Sequence, residues 1–307
     1  MLVAITGANG FIGRNLTRHF EREGWTVQSI VRRDFERDFF DRKLFKADVV
    51  VHAAGATRAP TRSKLVASNV LLTARVLDAA RRGKVGRLIF ISSQAAAGPS
   101  TSADRPVSED ANPAPVESYG RSKLHAEQLI REATDVPSVI LRPAAVYGPY
   151  DRDFISMFRL ARRGLAMHPA NRDQWISIVH VDDLARSVLL ASTRREAIGG
   201  TFFVANDRPM QWRDLFHEAA LVTGRQIRTD IEVPAWLVRA GALAGDVVAR
   251  ITGRAGLLTS GKVALTQPPY WVCSAERIRR TLGFAPLTNL QDGLAETYRW
   301  YLAQGWL

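Results

Sequence analysis

The sequence predicts an α/β protein: a doubly wound parallel sheet followed by a smaller, mostly helical C-terminal lobe. Three observations carry that expectation. Through the first half of the chain, short apolar runs alternate with longer stretches of helical period, the pattern of parallel strands covered by helices on both faces. A glycine-rich turn, Thr6 to Gly13, follows the first apolar run at once. Past about residue 150 the alternation fades into helical stretches punctuated by Pro209, Pro234, Pro268, Pro269 and Pro286.

In chain order, strands are expected at Leu2–Thr6, 27–31, 49–54, 88–92, 138–142 and Thr201–Val204, and helices at 11–23, 63–82 and 117–133. The first helix places Ile12, Leu16 and Phe20 on one face at i, i+4 and i+8. Residues 32–48 are strongly charged and hold no clear apolar run. A doubly wound unit normally fits a crossover helix and an edge strand there, so that edge strand is expected to be missing or vestigial. The expected division places 1–149 and 176–205 in the sheet domain, and 150–175 and 206–307 in the second lobe.

The 307 residues are 46% apolar and 23% charged, enough to bury a sizeable core. The formal charge is +12, but the basic residues are mostly arginines mixed with Glu and Asp along helical segments, without aromatics interleaved on one stripe. That distribution describes solvated helix faces, and no nucleic-acid partner is expected. A single cysteine, Cys273, excludes an internal disulfide framework. The six histidines show no metal-ligand spacing, so no metal is expected. The chain enters its first strand without a basic leader, and no apolar run is long enough to span a bilayer. A cytoplasmic location is the expectation.

The turn Gly7-Ala8-Asn9-Gly10-Phe11-Ile12-Gly13 has the place of a nucleotide fingerprint. Its glycines allow a tight turn, close backbone approach to a pyrophosphate and close helix packing, while the helix N-terminus offers free N–H groups to the anion. Three glycines alone are a weak signal. The flanking strand and helix make it a dinucleotide site. The next strand ends in Arg32 and Arg33, where an NAD enzyme usually places a carboxylate for the ribose 2′-hydroxyl. Arginines suit a 2′-phosphate instead, so NADP is favoured over NAD.

Tyr119 and Lys123 lie one turn apart on one helix face. An ammonium so placed, with a positive nicotinamide ring, lowers a phenol's pKa enough for proton exchange. Taken alone, such a pair also decorates ordinary helix surfaces. Here it joins an ordered set: Thr6 to Gly13, His52-Ala53-Ala54-Gly55, Asn69-Val70, Ile91-Ser92-Ser93, Tyr119 to Lys123, Leu141-Arg142-Pro143 with Val146-Tyr147-Gly148-Pro149, His180 to Ala185, and Leu282-Gly283-Phe284. This set resembles the extended short-chain dehydrogenases, the epimerase/dehydratase superfamily, over nearly the whole chain. The resemblance implies a Rossmann domain, with Ser93 holding the substrate oxygen, Tyr119 exchanging its proton, and Lys123 binding the nicotinamide ribose. It implies that Asn69, Pro143 and the Ala53-Ala54-Gly55 turn belong to the cofactor groove, that His180 is structural, and that the chain is a homodimer.

Departures from the superfamily's patterns narrow the reaction. Gln94-Ala95 follows Ser93 where sugar dehydratases resemble one another in an Asp-Glu pair, so dehydration lacks its acid. At three positions where nucleotide-sugar epimerases contact a diphosphate, this chain has Ala145, Ile176 and the stretch 259–265. Losing charged donors there forfeits strong ionic hydrogen bonds, although nearby Arg172 could compensate. The expectation is interconversion of a secondary alcohol and a ketone on a hydrophobic small molecule, ring-containing ones included. It is nearer the 3β-hydroxysteroid dehydrogenase and dihydroflavonol reductase branches. A nucleotide-sugar epimerase or reductase, and a non-catalytic NADP-binding sensor, are the rivals. The apolar 233–258 region is left open between lid, core helix and peripheral membrane contact.

Overall fold

A computed structural model describes residues 1–36, 44, 47–169, 171, 173–252 and 259–307. The large sheet is built from β1 (Leu2–Thr6), β2 (Thr26–Ile30), β3 (Val49–His52), β4 (Arg87–Ile91), β5 (Ser138–Pro143) and, much later, β10 (Thr201–Val204). Its order is β10-β5-β4-β3-β1-β2, with every pairing parallel. Parallel neighbours need crossovers. These are α1 (Phe11–Arg22), α2 (Arg32–Glu36), a helical run comprising α3 (Arg62–Val66), a π-turn (Ala67–Leu71) and α4 (Leu72–Arg82), and α5 (Ser118–Glu132). Among the described residues the sheet ends at β2; of the 32–48 stretch expected to lack an edge strand, 37–43 and 45–46 lie outside the described residues.

Strand alternation assigns the faces. Val3, Ile5, Val51, Ile89 and Leu141 point toward Leu16 and Phe20 of α1 and toward α7 (Val181–Thr193). Ala4, Val50 and Leu88 point the other way, onto Val76, Leu77 and Ala80 of α4. Further along, Phe90 and Ile140 meet Ala126 and Ile130 of α5. All of these strand residues are essentially inaccessible, and a Val, Leu, Ile or Phe so buried contributes about 1.5–3 kcal/mol.

Three strand ends come one or two residues earlier than the sequence predicts, each for a local reason. At Val31 the backbone N–H donates to Asp34 Oδ2 at 2.7 Å and the chain turns into α2. Ala53 to Gly55 leave the sheet as a loop toward Asn69. Ser92 keeps one sheet bond, its N–H donating to Leu141 O at 2.7 Å, then breaks away. The single helix predicted over 63–82 is interrupted by the π-turn at Ala67–Leu71. There the Thr73 hydroxyl donates to Asn69 O at 2.6 Å, and the widened turn carries Asn69 inward.

The remaining elements are β6 (Ala145–Tyr147), α6 (Ile155–Ala161), β7 (Leu165–Pro169), β8 (Trp175–Ile176), β9 (Ile178–His180), β11 (Met210–Gln211), α8 (Trp212–Val222), β12 (Thr229–Val233), α9 (Ala235–Thr252), α10 (Ser260–Thr266), β13 (Tyr270–Trp271), α11 (Glu276–Leu282) and α12 (Leu290–Ala303). They form small sheets, β11-β8-β13, β12-β7 and β6-β9. A separate aromatic core of Tyr147, Phe154, Phe158, Phe216 and Tyr301 holds many of them together. This second core faces the C-terminal ends of β4 and β5 across a cleft. No helix among the described residues is long and apolar enough to cross a membrane.

Candidate active site

The glycine turn begins where β1 ends. Gly7 adopts φ +71°, a left-handed conformation that favours glycine, and its N–H donates to Ile30 O at 2.9 Å. A Cβ on Gly13 would lie 2.1 Å from Gly7 O, so α1 packs directly against the turn. At the helix start, Gly10 provides no side-chain cap and no acidic residue stands in the first turn. The first N–H groups of α1 therefore keep their positive end for an anion. Phe11 and Ile12 line the cleft beside them. Asn9 stays exposed on the turn, its carbonyl accepting from Arg14 Nε at 2.9 Å. The turn is a cradle that a side chain would fill, and it fits the pyrophosphate of a dinucleotide.

Behind the cradle, the end of β3 is fixed by a buried chain of hydrogen bonds. Thr73 Oγ1 gives its hydrogen to Asn69 O, so it must accept from His52 Nε2, 2.9 Å away. His52 Nδ1 then accepts from Thr6 Oγ1 at 2.8 Å. Burial, then the charge on Lys123, pushes the His52 pKa down to about 3, consistent with a neutral ring that only relays hydrogen bonds. Asn69 is buried too: its Oδ1 accepts from Ala56 N at 2.8 Å and its Nδ2 donates to Ser122 Oγ at 2.8 Å. It staples the loop after Ala53-Ala54-Gly55 to α5. A Cβ on Gly55 would stand 2.9 Å from Asn69 Oδ1 and 3.9 Å from Lys123 Nζ.

Ser93 and Tyr119 come together because α5 starts very close to the Gln94–Ala96 turn. A Cβ on Gly120 would lie 2.2 Å from Ala95 O, a contact only glycine allows. Glu117 caps α5, accepting from the N–H groups of Tyr119 and Gly120, both at 2.5 Å. Ser93, Gln94, Glu117 and Tyr119 line one cleft. Burial pushes the Tyr119 phenol up to about 12; the Ser93 hydroxyl opposes this and the Glu117 carboxylate adds to it. Lys123, expected to acidify this phenol together with a positive nicotinamide ring, is held by partners of its own. Its ammonium donates to Ile91 O at 2.6 Å and sits 4.2 Å from the centre of the Phe90 ring. Burial lowers the Lys123 pKa to about 7, against a raising influence from Glu127 one turn on. Glu127 is itself buried, its carboxylate receiving Ser92 Oγ at 2.5 Å and Arg142 through Nε at 2.9 Å and Nη2 at 2.7 Å.

The cleft has a volume of about 920 Å³. Pro143 lies on its wall, and Ala145, Ile176 and residues 259–263 face the same space. The three sequence departures thus converge on one cavity. Its charged lining comprises Arg58, Arg62, Glu117, Asp151, Asp153, Asp246 and Lys262, with Asp153 pairing with Arg58 and, at 3.1 Å, with Lys262. Arg172 lies outside the described residues. Arg32 and Arg33 are exposed at the start of α2, and Asp34, the first carboxylate after β2, is buried and turned back onto Val31 N.

Sequence reasoning missed Glu117 and the buried partners of Lys123, since a glutamate is a rare helix cap and Phe90 reads only as a strand residue. It also missed a grouping of His180, Asp182 and Glu296, whose ligand-type atoms lie within 4.8 Å of one another. His180 Nδ1 caps α7, accepting from Asp182 N, and burial holds this imidazole below its ordinary pKa.

Comparison with known proteins finds the same pattern. The family model described as "NAD dependent epimerase/dehydratase family" matches residues 3–205. A ceramide reductase of Caulobacter vibrioides is 31% identical, the alignment covering 100% of this chain and 96% of the relative. A UDP-glucose 4-epimerase of Vibrio cholerae is 27% identical over 98% of this chain and 95% of its own length. Among solved structures, a UDP-glucuronic acid 4-epimerase from Bacillus cereus, in complex with UDP-glucuronic acid and NAD, superimposes with a TM-score of 0.79. It is 21% identical, with 99% of this chain and 100% of that one covered.

Proposed function

The chain belongs to the NAD dependent epimerase/dehydratase family, and from that premise we propose that it is an NADP-dependent oxidoreductase that interconverts a ketone and a secondary alcohol on a hydrophobic small molecule. The observation that carries this reading is the convergence of Ser93 and Tyr119 in a cleft whose wall holds the apolar Ala145 and Ile176 at two of the positions where diphosphate-binding epimerases differ from this chain. Names among the relatives point the same way: ceramide reductase, a farnesyl-dihydroquinoline-oxide ketoreductase of Stigmatella aurantiaca, and a 2-alkyl-3-oxoalkanoate reductase of Stenotrophomonas maltophilia.

In this reading the α1 N-terminus and the Gly7–Gly13 cradle hold the pyrophosphate, and Arg32 and Arg33 meet the 2′-phosphate of the adenosine ribose. Asp34 is engaged with Val31 N, while Arg32 and Arg33 are exposed beside it. When bound, the cofactor supplies or accepts the hydride at the substrate carbon. Ser93 donates a hydrogen bond to the substrate oxygen. Tyr119 exchanges a proton with that oxygen: reduction of the ketone takes the phenolic proton as the carbon gains hydride, and oxidation returns it. A phenol held near 12 keeps its proton at neutral pH, the form that ketone reduction consumes. Lys123, anchored to Ile91 O and Phe90, presents its Nζ donors to the cofactor ribose; Glu117 fixes the start of α5, and with it the phenol. The segments 150–175 and 206–307 provide the substrate side.

Two assays on purified protein decide between this and the nucleotide-sugar reading that the Vibrio relative represents. NADPH consumption with a panel of hydrophobic ketones is expected, with UDP and UDP-glucose giving no thermal shift. A strong shift with UDP-glucose, displaced by UDP, together with no ketone turnover, would assign the cleft to nucleotide sugars.

A further inference from the structure

Outside the cleft, α9 departs from the usual arrangement of a globular helix. It buries only small or branched residues, Val238, Ala242 and Ala249. Its outward side presents Trp236 at 69% exposure, Leu243 at 64% and Ile251 at 80%, with Val247 and Val248 also exposed. Positions 236, 243, 247 and 251 recur at helical spacing, so these side chains form one stripe. On the β7-β12 ribbon Met167 and Ile231 are register partners, each 43% exposed, and Met167 lines one groove with Leu237 and Val238 of α9. A contiguous apolar surface of this kind marks an interaction site.

A groove explains what the surface is for. A volume of about 460 Å³ lies between α6, α8 and α9, and its wall is formed mainly by apolar side chains such as Met157, Leu160, Phe216 and Val233. It adjoins the Tyr119 cleft, with Asp153, Phe154, Trp212 and Val238 lining both. At its other end are Met167 and Leu237, which belong to the exposed apolar surface. Cleft and groove thus lie side by side between Tyr119 and α9, their shared wall mostly apolar with Asp153 as its charged member. Charge identifies the occupant of the outer face of α9. Arg162, Arg163, Arg225 and Arg228 are exposed at the beginning of the ribbon, and Arg239 is exposed on α9; Asp230 and Glu232 occupy the pleat opposite Ile231. The whole chain carries +12, so a second copy would oppose like charge, whereas an anionic lipid surface complements it.

We propose that α9 lies in the interface of an anionic bilayer and that the substrate is a membrane-resident lipid, its carbonyl reaching Tyr119 while its apolar chain occupies the groove. The substrate half rests on the oxidoreductase reading above; the membrane half is read without turnover. Wild-type protein is expected to float with vesicles of phosphatidylcholine and phosphatidylglycerol, less so with phosphatidylcholine alone or at raised salt. Replacing Leu243, Val247 and Ile251 together by Asp should cut the floated fraction about ten-fold or more, and Gln at the same positions should cut it less. Both variants should keep wild-type NADPH affinity and turnover of a short soluble ketone, while turnover of a long-chain ketone in vesicles falls with the floated fraction. Failure of wild type to float, or equal flotation by the Asp variant, would overturn the proposal. So would light scattering that shows a wild-type dimer and an Asp-variant monomer, which would assign the face to a second copy. If soluble-ketone turnover stands while flotation fails, only this proposal falls; if NADPH neither binds nor is consumed, the oxidoreductase reading falls as well.

Discussion

Tyr119 and Lys123 are both shifted by burial, in opposite directions in pKa but with one meaning: each is pressed toward its neutral form. For Tyr119 this preserves the proton that the proposed reduction transfers. Tyr119→Phe is expected to lower ketone turnover by about 10²–10⁴-fold while changing NADPH affinity by less than about two-fold, because the phenyl ring keeps its packing; stopped-flow absorbance and a fluorescence titration read the two quantities. For Lys123 the consequence is a pH dependence of stability. Its folded pKa of about 7 lies below the ordinary 10.5, so between those values the unfolded chain binds more protons than the folded one. Stability then rises with pH across that window. Thermal melts of the wild type should show this rise, and melts of Lys123→Met should lack that component of the slope. At the same scale, Ser93, Tyr119 and Lys123 were legible in the sequence as parts of an ordered pattern. Their electrostatics were not, because the burial around Tyr119 and the Ile91 carbonyl that holds Lys123 come from distant segments.

At the scale of elements, two close approaches place the chemistry: α1 against the Gly7 turn and α5 against Ala95. Gly13→Val would drive a side chain into Gly7 O, which lies 2.1 Å from the first added carbon. The expected result is loss of pyridine-nucleotide binding. Gly24→Ala provides the comparison, since it has φ +75° and nothing within 4 Å. It should cost about 1 kcal/mol of stability through backbone strain and leave nucleotide affinity unchanged. Calorimetric titration of both variants checks the pair. The β-α alternation was readable because buried parallel strands are continuous apolar runs. The π-turn at Ala67–Leu71 was not, for it depends on Thr73 competing for Asn69 O, a local choice invisible to a period-based reading. The small strands β8, β11 and β13, each two residues long, were equally silent, since they exist only through pairing with one another.

Across the whole molecule, the sheet presents its C-terminal edge to a second aromatic core, and the cleft between them gathers residues from nearly the full chain, Phe11 to Trp271. That is why the substrate side was harder to read than the cofactor side. The glycine turn and Tyr119 helix are contiguous motifs, whereas Ala145, Ile176 and Val263 become one wall only after folding. The apolar 233–258 region was visible as unusual, but the outward direction of α9 within it is a property of packing: Val238, Ala242 and Ala249 face in and bulky side chains such as Trp236, Leu243 and Ile251 face out. The proposed function requires the chain to bind a phosphorylated pyridine nucleotide in the Gly7–Gly13 cradle beside Arg32 and Arg33. Fluorescence titration of the purified protein with NADPH and NADH tests this most directly. Saturable binding of NADPH is expected, tighter than NADH by about ten-fold or more through charge-assisted bonds to the 2′-phosphate; tighter binding of NADH would contradict the role of the two arginines, and no binding of either nucleotide would contradict the proposed function itself.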